Sequence, residues 1–80
     1  MATLDRMALV DVIIAQARVT LDNPQLMPTD DFFEVGGDSI LAVEMIDRLT
    51  DTIGVEIPIA FLYTYPTAAE LAEVVAEVHG

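Results

Sequence analysis

Eighty residues allow one domain with a small core, since a chain of this size buries only about 60% of its unfolded surface. Fourteen acidic residues stand against three arginines and no lysine, a formal charge of −11, which argues against nucleic acid and anionic lipid as partners and in favour of positively charged proteins. With no cysteine, disulfides and thiolate metal sites are excluded, and an apolar fraction of 54% separates the chain from acidic disordered sequences.

A first helix is expected from Leu4 to Val19. Val10, Ile13, Ile14, Ala17 and Leu21 recur at helical spacing and make one apolar stripe. Asp5 is placed in the first turn, where the positive end of the helix dipole favours an anion. Asp22-Asn23-Pro24 and Met27-Pro28-Thr29-Asp30 read as turns, because proline disfavours helix in the residue before it. Residues 22–37 are therefore expected to form a loop, of a length that is often functional. Within it Phe32 and Phe33 should pin the segment, with at least one ring buried. Gly36 and Gly37 supply backbone freedom before a second helix over Ser39–Ile53, for which Asp38 is the N-cap. Ala42, Met45, Ile46, Leu49 and Ile53 form its inward stripe; Glu44, Asp47 and Asp51 mark its outer side. Gly54 stands where a left-handed C-terminal cap belongs. Val55, Ile57 and Ile59 alternate as a strand would, but a lone strand has no partner, and Pro58 suits the first position of a short helix over Ile59–Tyr63. Thr67-Ala68-Ala69-Glu70 is a capping box behind Pro66, and it opens a last helix with Leu71, Val74, Val75 and Val78 on its apolar face. The expected fold is all-α: a small four-helix bundle of three main helices and one short helix, with a long loop between the first and second.

The longest uncharged stretch, residues 57–69, is broken by Pro58 and Pro66, so no membrane span is expected. Asp5 and Asp11 interrupt any signal-peptide core, and a cytoplasmic address is the expectation. The ends at Met1 and Gly80 suit a free-standing protein and equally an excised domain.

Catalytic chemistry finds little support. The single histidine, His79, stands one residue from the end of the sequence, a poor place for a base. Without it or a cysteine, nucleophile relays have no partner. Gly36-Gly37-Asp38-Ser39 lacks the glycine that a nucleophile elbow needs after its serine, and it lacks the lysine of a phosphate loop. An EF-hand with Gly36 or Gly37 at its sixth position puts Ala42 or Val43 where a glutamate ligand is required. The carboxylates are scattered over a chain with little room for a deep cleft. No catalytic residue and no metal site are expected.

Ser39 remains. It opens a helix behind an aspartate and two glycines, at the end of a long loop. Such a serine is exposed, and the free N–H groups of a helix start tolerate a phosphate. The glycines add no bulk against an approaching protein, and Asp38 can recruit a divalent cation or a basic residue. Gly-Gly-Asp-Ser alone is also an ordinary loop-to-helix junction; its flanks discriminate. Phe32-Phe33-Glu34-Val35-Gly36-Gly37-Asp38-Ser39 resembles the core of the peptidyl carrier domains of nonribosomal peptide synthetases. Val43-Glu44-Met45-Ile46 and Gly54-Val55-Glu56-Ile57-Pro58 resemble acyl carrier proteins of fatty-acid and polyketide synthesis, and Tyr65-Pro66-Thr67 resembles the peptidyl group again. Ile13-Ile14 and Ala15-Gln16-Ala17 depart from the tryptophan and leucine-glycine end often found in peptidyl carriers.

The resemblance implies a single carrier domain over residues 1–80. Ser39 would receive 4′-phosphopantetheine from coenzyme A through a phosphopantetheinyl transferase and magnesium, with Gly37 and Asp38 beside it. The arm's thiol would hold an aminoacyl, peptidyl or acyl group as a thioester, so the chain itself would catalyse nothing. Adenylating or acyl-loading enzymes and condensing or tailoring enzymes are the implied partners of a monomer. They would dock on the second helix through Ile40, Val43, Glu44 and Asp47; Ile40 and Val43 lie off the inward stripe, whereas Leu41 reads as helix-edge core. Three readings stay open: a peptidyl carrier of secondary metabolism, an acyl carrier of polyketide or fatty-acid synthesis, and an acidic helical adaptor with no prosthetic group.

Overall fold

The computed structural model describes residues 5–79. It contains α1 (Arg6–Thr20), α2 (Ser39–Ile53), α3 (Ile59–Thr64) and α4 (Ala68–His79). No strand occurs among the described residues, and none of their helices is long and apolar enough to cross a membrane. Helix α1 packs against α4 and α2, and α3 bridges α2 and α4. Ile13, Met45, Leu49, Leu62, Leu71 and Val75 are fully buried where the four meet, each worth about 1.5–3 kcal/mol relative to exposure.

The boundary of α1 corrects one expectation. Asp5 is the N-cap, not a first-turn residue: its carboxylate accepts the Met7 N–H at 3.1 Å. A direct hydrogen bond thus adds to the dipole attraction. The expected start, Leu4, lies outside the described residues, as do the chain ends at Met1 and Gly80. At the other end Asn23 N–H donates to Arg18 O (2.9 Å) and Asp22 N–H to Val19 O (3.2 Å). This is a Schellman cap with Asp22, at φ 51°, in the seat usually held by glycine. The buried face of α1 is Leu9, Ile13, Ile14, Ala17 and Thr20; Val10 and Leu21, placed on the stripe by spacing, are only partly buried. The stripe is turned because α1 has neighbours on two sides.

Helix α2 keeps its predicted bounds and buries Ala42, Met45, Ile46 and Leu49, with Ile53 half-buried. It closes on Gly54 at φ 84°, a conformation that costs other residues roughly 1–2 kcal/mol. The alternation at residues 55–59 belongs to an extended connector whose Ile57 enters the core. Pro58 precedes α3 as its N-cap, and its extended ψ of 136° keeps it out of the first helical position. In α4 the Thr67 hydroxyl accepts the Glu70 N–H (3.1 Å) and donates to Glu70 Oε1 (3.0 Å). Val78, expected inward, is 57% exposed, because the buried row runs through Ala68, Leu71, Ala72 and Val75 and leaves position 78 on its flank.

Residues 21–38 connect α1 to α2 without a helix, yet the segment is anchored. Leu26 and Phe32 are buried. Arg18 Nε donates to Leu26 O at 2.9 Å, Phe32 N–H to Pro66 O at 2.8 Å and Ala69 N–H to Pro28 O at 3.1 Å. The loop therefore roofs the start of α4 and delivers the chain to the start of α2.

Candidate functional site

The site is the junction of that loop with α2. Ser39 is the first residue of α2 and is exposed. Asp38 caps the helix, its Oδ1 accepting the Leu41 N–H at 2.8 Å. Among the described residues nothing accepts from the N–H of Ser39 or Ile40. The helix start therefore offers free donors and its positive dipole end to solvent.

The two glycines work differently, which spacing alone does not reveal. Gly36 has φ 122°, and a Cβ there would meet no atom within 4 Å; it supplies the freedom of backbone that was expected of both. Gly37 has no such φ. A Cβ on Gly37 would collide with the Phe32 ring and the Phe32 carbonyl oxygen, so it is glycine because the chain passes too close to an aromatic. Phe32 is buried and Phe33 half-buried, as two adjacent loop aromatics should be.

Ile40 (77% exposed) and Val43 (51%) share the outer side of α2 with Glu44 and Asp47. Leu41 turns inward and packs partly against the core. Glu44 pairs with Arg48 one turn on at 3.3 Å, so part of its charge is offset; Asp47 has no such pair among the described residues. Sequence reasoning missed Tyr63. Its ring stacks on Phe33 with centroids 5.0 Å apart and planes 9° from parallel, and half of it is exposed. Nothing in a six-residue helix marks that position; only folding brings α3 beside the loop.

His79 is far from this chemistry, its ring nitrogen donating to Glu56 O at 2.9 Å. Among the described residues no cluster of His, Asp and Glu is arranged to hold a metal. What the junction can do is present a hydroxyl. An exposed Oγ, uncrowded backbone at Gly36 and unclaimed helix-start donors together fit a phosphate-linked group at Ser39.

Comparison with known proteins identifies the family. Residues 8–75 match the family described as Phosphopantetheine attachment site. A dimodular nonribosomal peptide synthase of Bacillus subtilis is 44% identical over 50 residues, which is 62% of this chain and 2% of that protein. The chain thus spans only about one or two hundredths of the length of such curated relatives. Among solved structures, BlmI, a type-II acyl carrier protein from Streptomyces verticillus involved in bleomycin biosynthesis, superposes with a TM-score of 0.86 at 30% identity, covering 91% of this chain and 88% of its own. A nonribosomal PCP domain superposes with a TM-score of 0.74 at 29% identity, covering 82% and 84%. The chain belongs to the phosphopantetheine attachment family and is a carrier protein, holding its cargo as a thioester on a covalent 4′-phosphopantetheine arm.

Proposed function

We propose that Ser39 bears the arm, that residues 1–80 form a single carrier domain, and that its cargo is an aminoacyl or peptidyl group of a nonribosomal peptide or related secondary-metabolite pathway. The observation that carries this reading is the exposure of Ser39 at a helix start with free N–H donors. When bound, the arm supplies a thiol that keeps the cargo at high effective concentration before successive enzymes. The chain's own residues present and protect that anchorage. Ser39 offers Oγ. Asp38 holds the helix start with Oδ1 and turns its charge toward a divalent cation or a basic residue. Gly36 leaves room for another protein, while Gly37 lets the chain pass close over Phe32. Ile40 and Val43 are apolar anchors for docking, while Glu44 and Asp47 steer basic partners and favour fast release. The partners are a phosphopantetheinyl transferase, an adenylating or acyl-loading enzyme, and condensing or tailoring enzymes. No residue of the chain acts as a catalyst in this scheme, which has it working as a cytoplasmic monomer.

An acyl carrier of polyketide or fatty-acid building blocks is the second reading, supported by the likeness to BlmI. Loading by an adenylating enzyme with amino or aryl acids, against loading by a malonyl or acyl transferase, separates the two. The test of the site is incubation with coenzyme A, magnesium and a broad-specificity phosphopantetheinyl transferase, read by intact mass. One arm is expected on the wild type and none on Ser39→Ala. An arm on Ser39→Ala would move the site elsewhere, and an unmodified wild type beside a working control carrier would overturn the assignment of Ser39.

A further inference from the structure

The stretch from Phe32 to Ser39 has no slack. Phe32 is 2% exposed although it sits in a loop. Its N–H donates to Pro66 O at 2.8 Å, in the corner between α3 and α4, and its carbonyl accepts the Gly37 N–H at 2.9 Å. Gly37 lies so close over the Phe32 ring that a Cβ would overlap it. Asp38 then commits to the Leu41 N–H, and α2 begins at Ser39. A core side chain is thereby linked to the serine through contacts and hydrogen bonds that leave no free segment between them.

We infer that Phe32 and Gly37 form a latch that positions Ser39 for arm transfer, Phe32 tying the loop to the core and Gly37 allowing the chain to seat on it. The inference rests on Ser39 as the attachment residue. Phe32 is 2% exposed and the missing Cβ of Gly37 faces the Phe32 ring, so the latch is assigned a positioning role. Its effect is on where the hydroxyl stands when another protein's site closes on it, and a misplacement near 1 Å can cost about a hundredfold in rate. A latch that served stability alone would leave transfer to the folded protein unchanged.

The experiment measures arm transfer from coenzyme A by a broad-specificity phosphopantetheinyl transferase on the wild type, Ser39→Ala, Gly37→Ala, Phe32→Leu and the Phe32→Leu/Gly37→Ala double variant. The temperature is one at which circular dichroism shows each chain folded. Gly37→Ala should lose about tenfold in kcat with KM within about twofold, since the outer side of α2 is untouched. Phe32→Leu should lose less. The double variant should load no faster than Gly37→Ala, because a smaller side chain relieves the overlap with the ring but not that with the Phe32 carbonyl oxygen. A folded Gly37→Ala with wild-type kcat, or a double variant as fast as the wild type, overturns the latch. Should Gly37→Ala not fold, amide hydrogen exchange on the wild type decides: protected amides at Phe32 and Gly37 are expected, and exchange at open-loop rates overturns the inference. Arm transfer to Ser39→Ala would instead show that the attachment residue was misassigned and remove the basis of the latch. Loss on Ser39→Ala with normal loading of Gly37→Ala would sink the latch alone.

Discussion

The N-termini of α2 and α4 are built from the same parts. Each has a capping oxygen that accepts the N–H three residues on, Asp38 from Leu41 at 2.8 Å and Thr67 from Glu70 at 3.1 Å. At α4 the remaining groups are used within the molecule. The Thr67 hydroxyl donates to Glu70, Ala69 N–H donates to Pro28 in the overlying loop, and Ala68 is buried. At α2 the residues after the cap, Ser39 and Ile40, are exposed, and among the described residues their N–H groups have no acceptor. The same loop roofs one helix start and, through Phe32, passes beneath the other. Capping chemistry makes a helix start; the seat of the neighbouring loop determines whether it is closed or presented.

The comparison depends on a core common to both helix starts, and the largest predicted effect comes from breaking it. Met45 and Leu49 are 2% and 0% exposed. Met45→Asp or Leu49→Asp buries an unpaired carboxylate, which costs several kcal/mol, and the helical circular dichroism signal should collapse. A normal spectrum would show the inward side of α2 to be misassigned.

The two caps should then separate stability from presentation. Thr67→Ala is expected to cost about 1 kcal/mol in denaturant unfolding and to leave arm transfer to the folded protein at the wild-type rate. Asp38→Ala should cost a similar amount and also slow transfer, because it removes a charge beside Ser39. Asp38→Asn keeps the cap, so it isolates that charge: stability close to wild type with slowed transfer is the expected pair of readings. Equal transfer in the Asp38→Ala and Thr67→Ala proteins would erase the functional difference between the two ends.

Glu44→Lys is expected to change stability little. It replaces the Arg48 pair with two like charges one turn apart, worth about 0.3–0.5 kcal/mol. Helicity should be unchanged while partner loading slows and becomes less sensitive to salt. Unchanged loading kinetics at low ionic strength would remove Glu44 from the docking surface.

What was legible in the chain was local. Asp38 and Gly54 bound α2 because a cap oxygen and a residue free to adopt positive φ are needs of the backbone itself. Thr67 and Glu70 mark α4 for the same reason. The Gly-Gly-Asp-Ser junction and its aromatic flank identify the family, since they are contiguous. The misplaced residues share a different cause. Val78 has the right spacing for a buried face but is exposed, whereas Val10 and Leu21 reach the core at the edge of theirs, because spacing defines a stripe only to within the rotation that neighbouring helices impose. Asp5 and Pro58 each fell on the wrong side of a helix boundary by one position, because aspartate serves both as cap and in the first turn, and the fixed φ of proline suits either side of the boundary.

The order of the helices, the caps of α2 and α4, the acidic surface and the serine at the head of α2 follow from the amino-acid sequence alone, because each depends on residues adjacent along the chain. The collision that makes Gly37 a glycine, the Phe33–Tyr63 stack and the choice of which helix start stays open were decided by tertiary structure. The stack joins segments separated along the chain, and even the close pass of Gly37 over Phe32 within one loop depends on the ring being held in the core, so no local preference specifies these contacts.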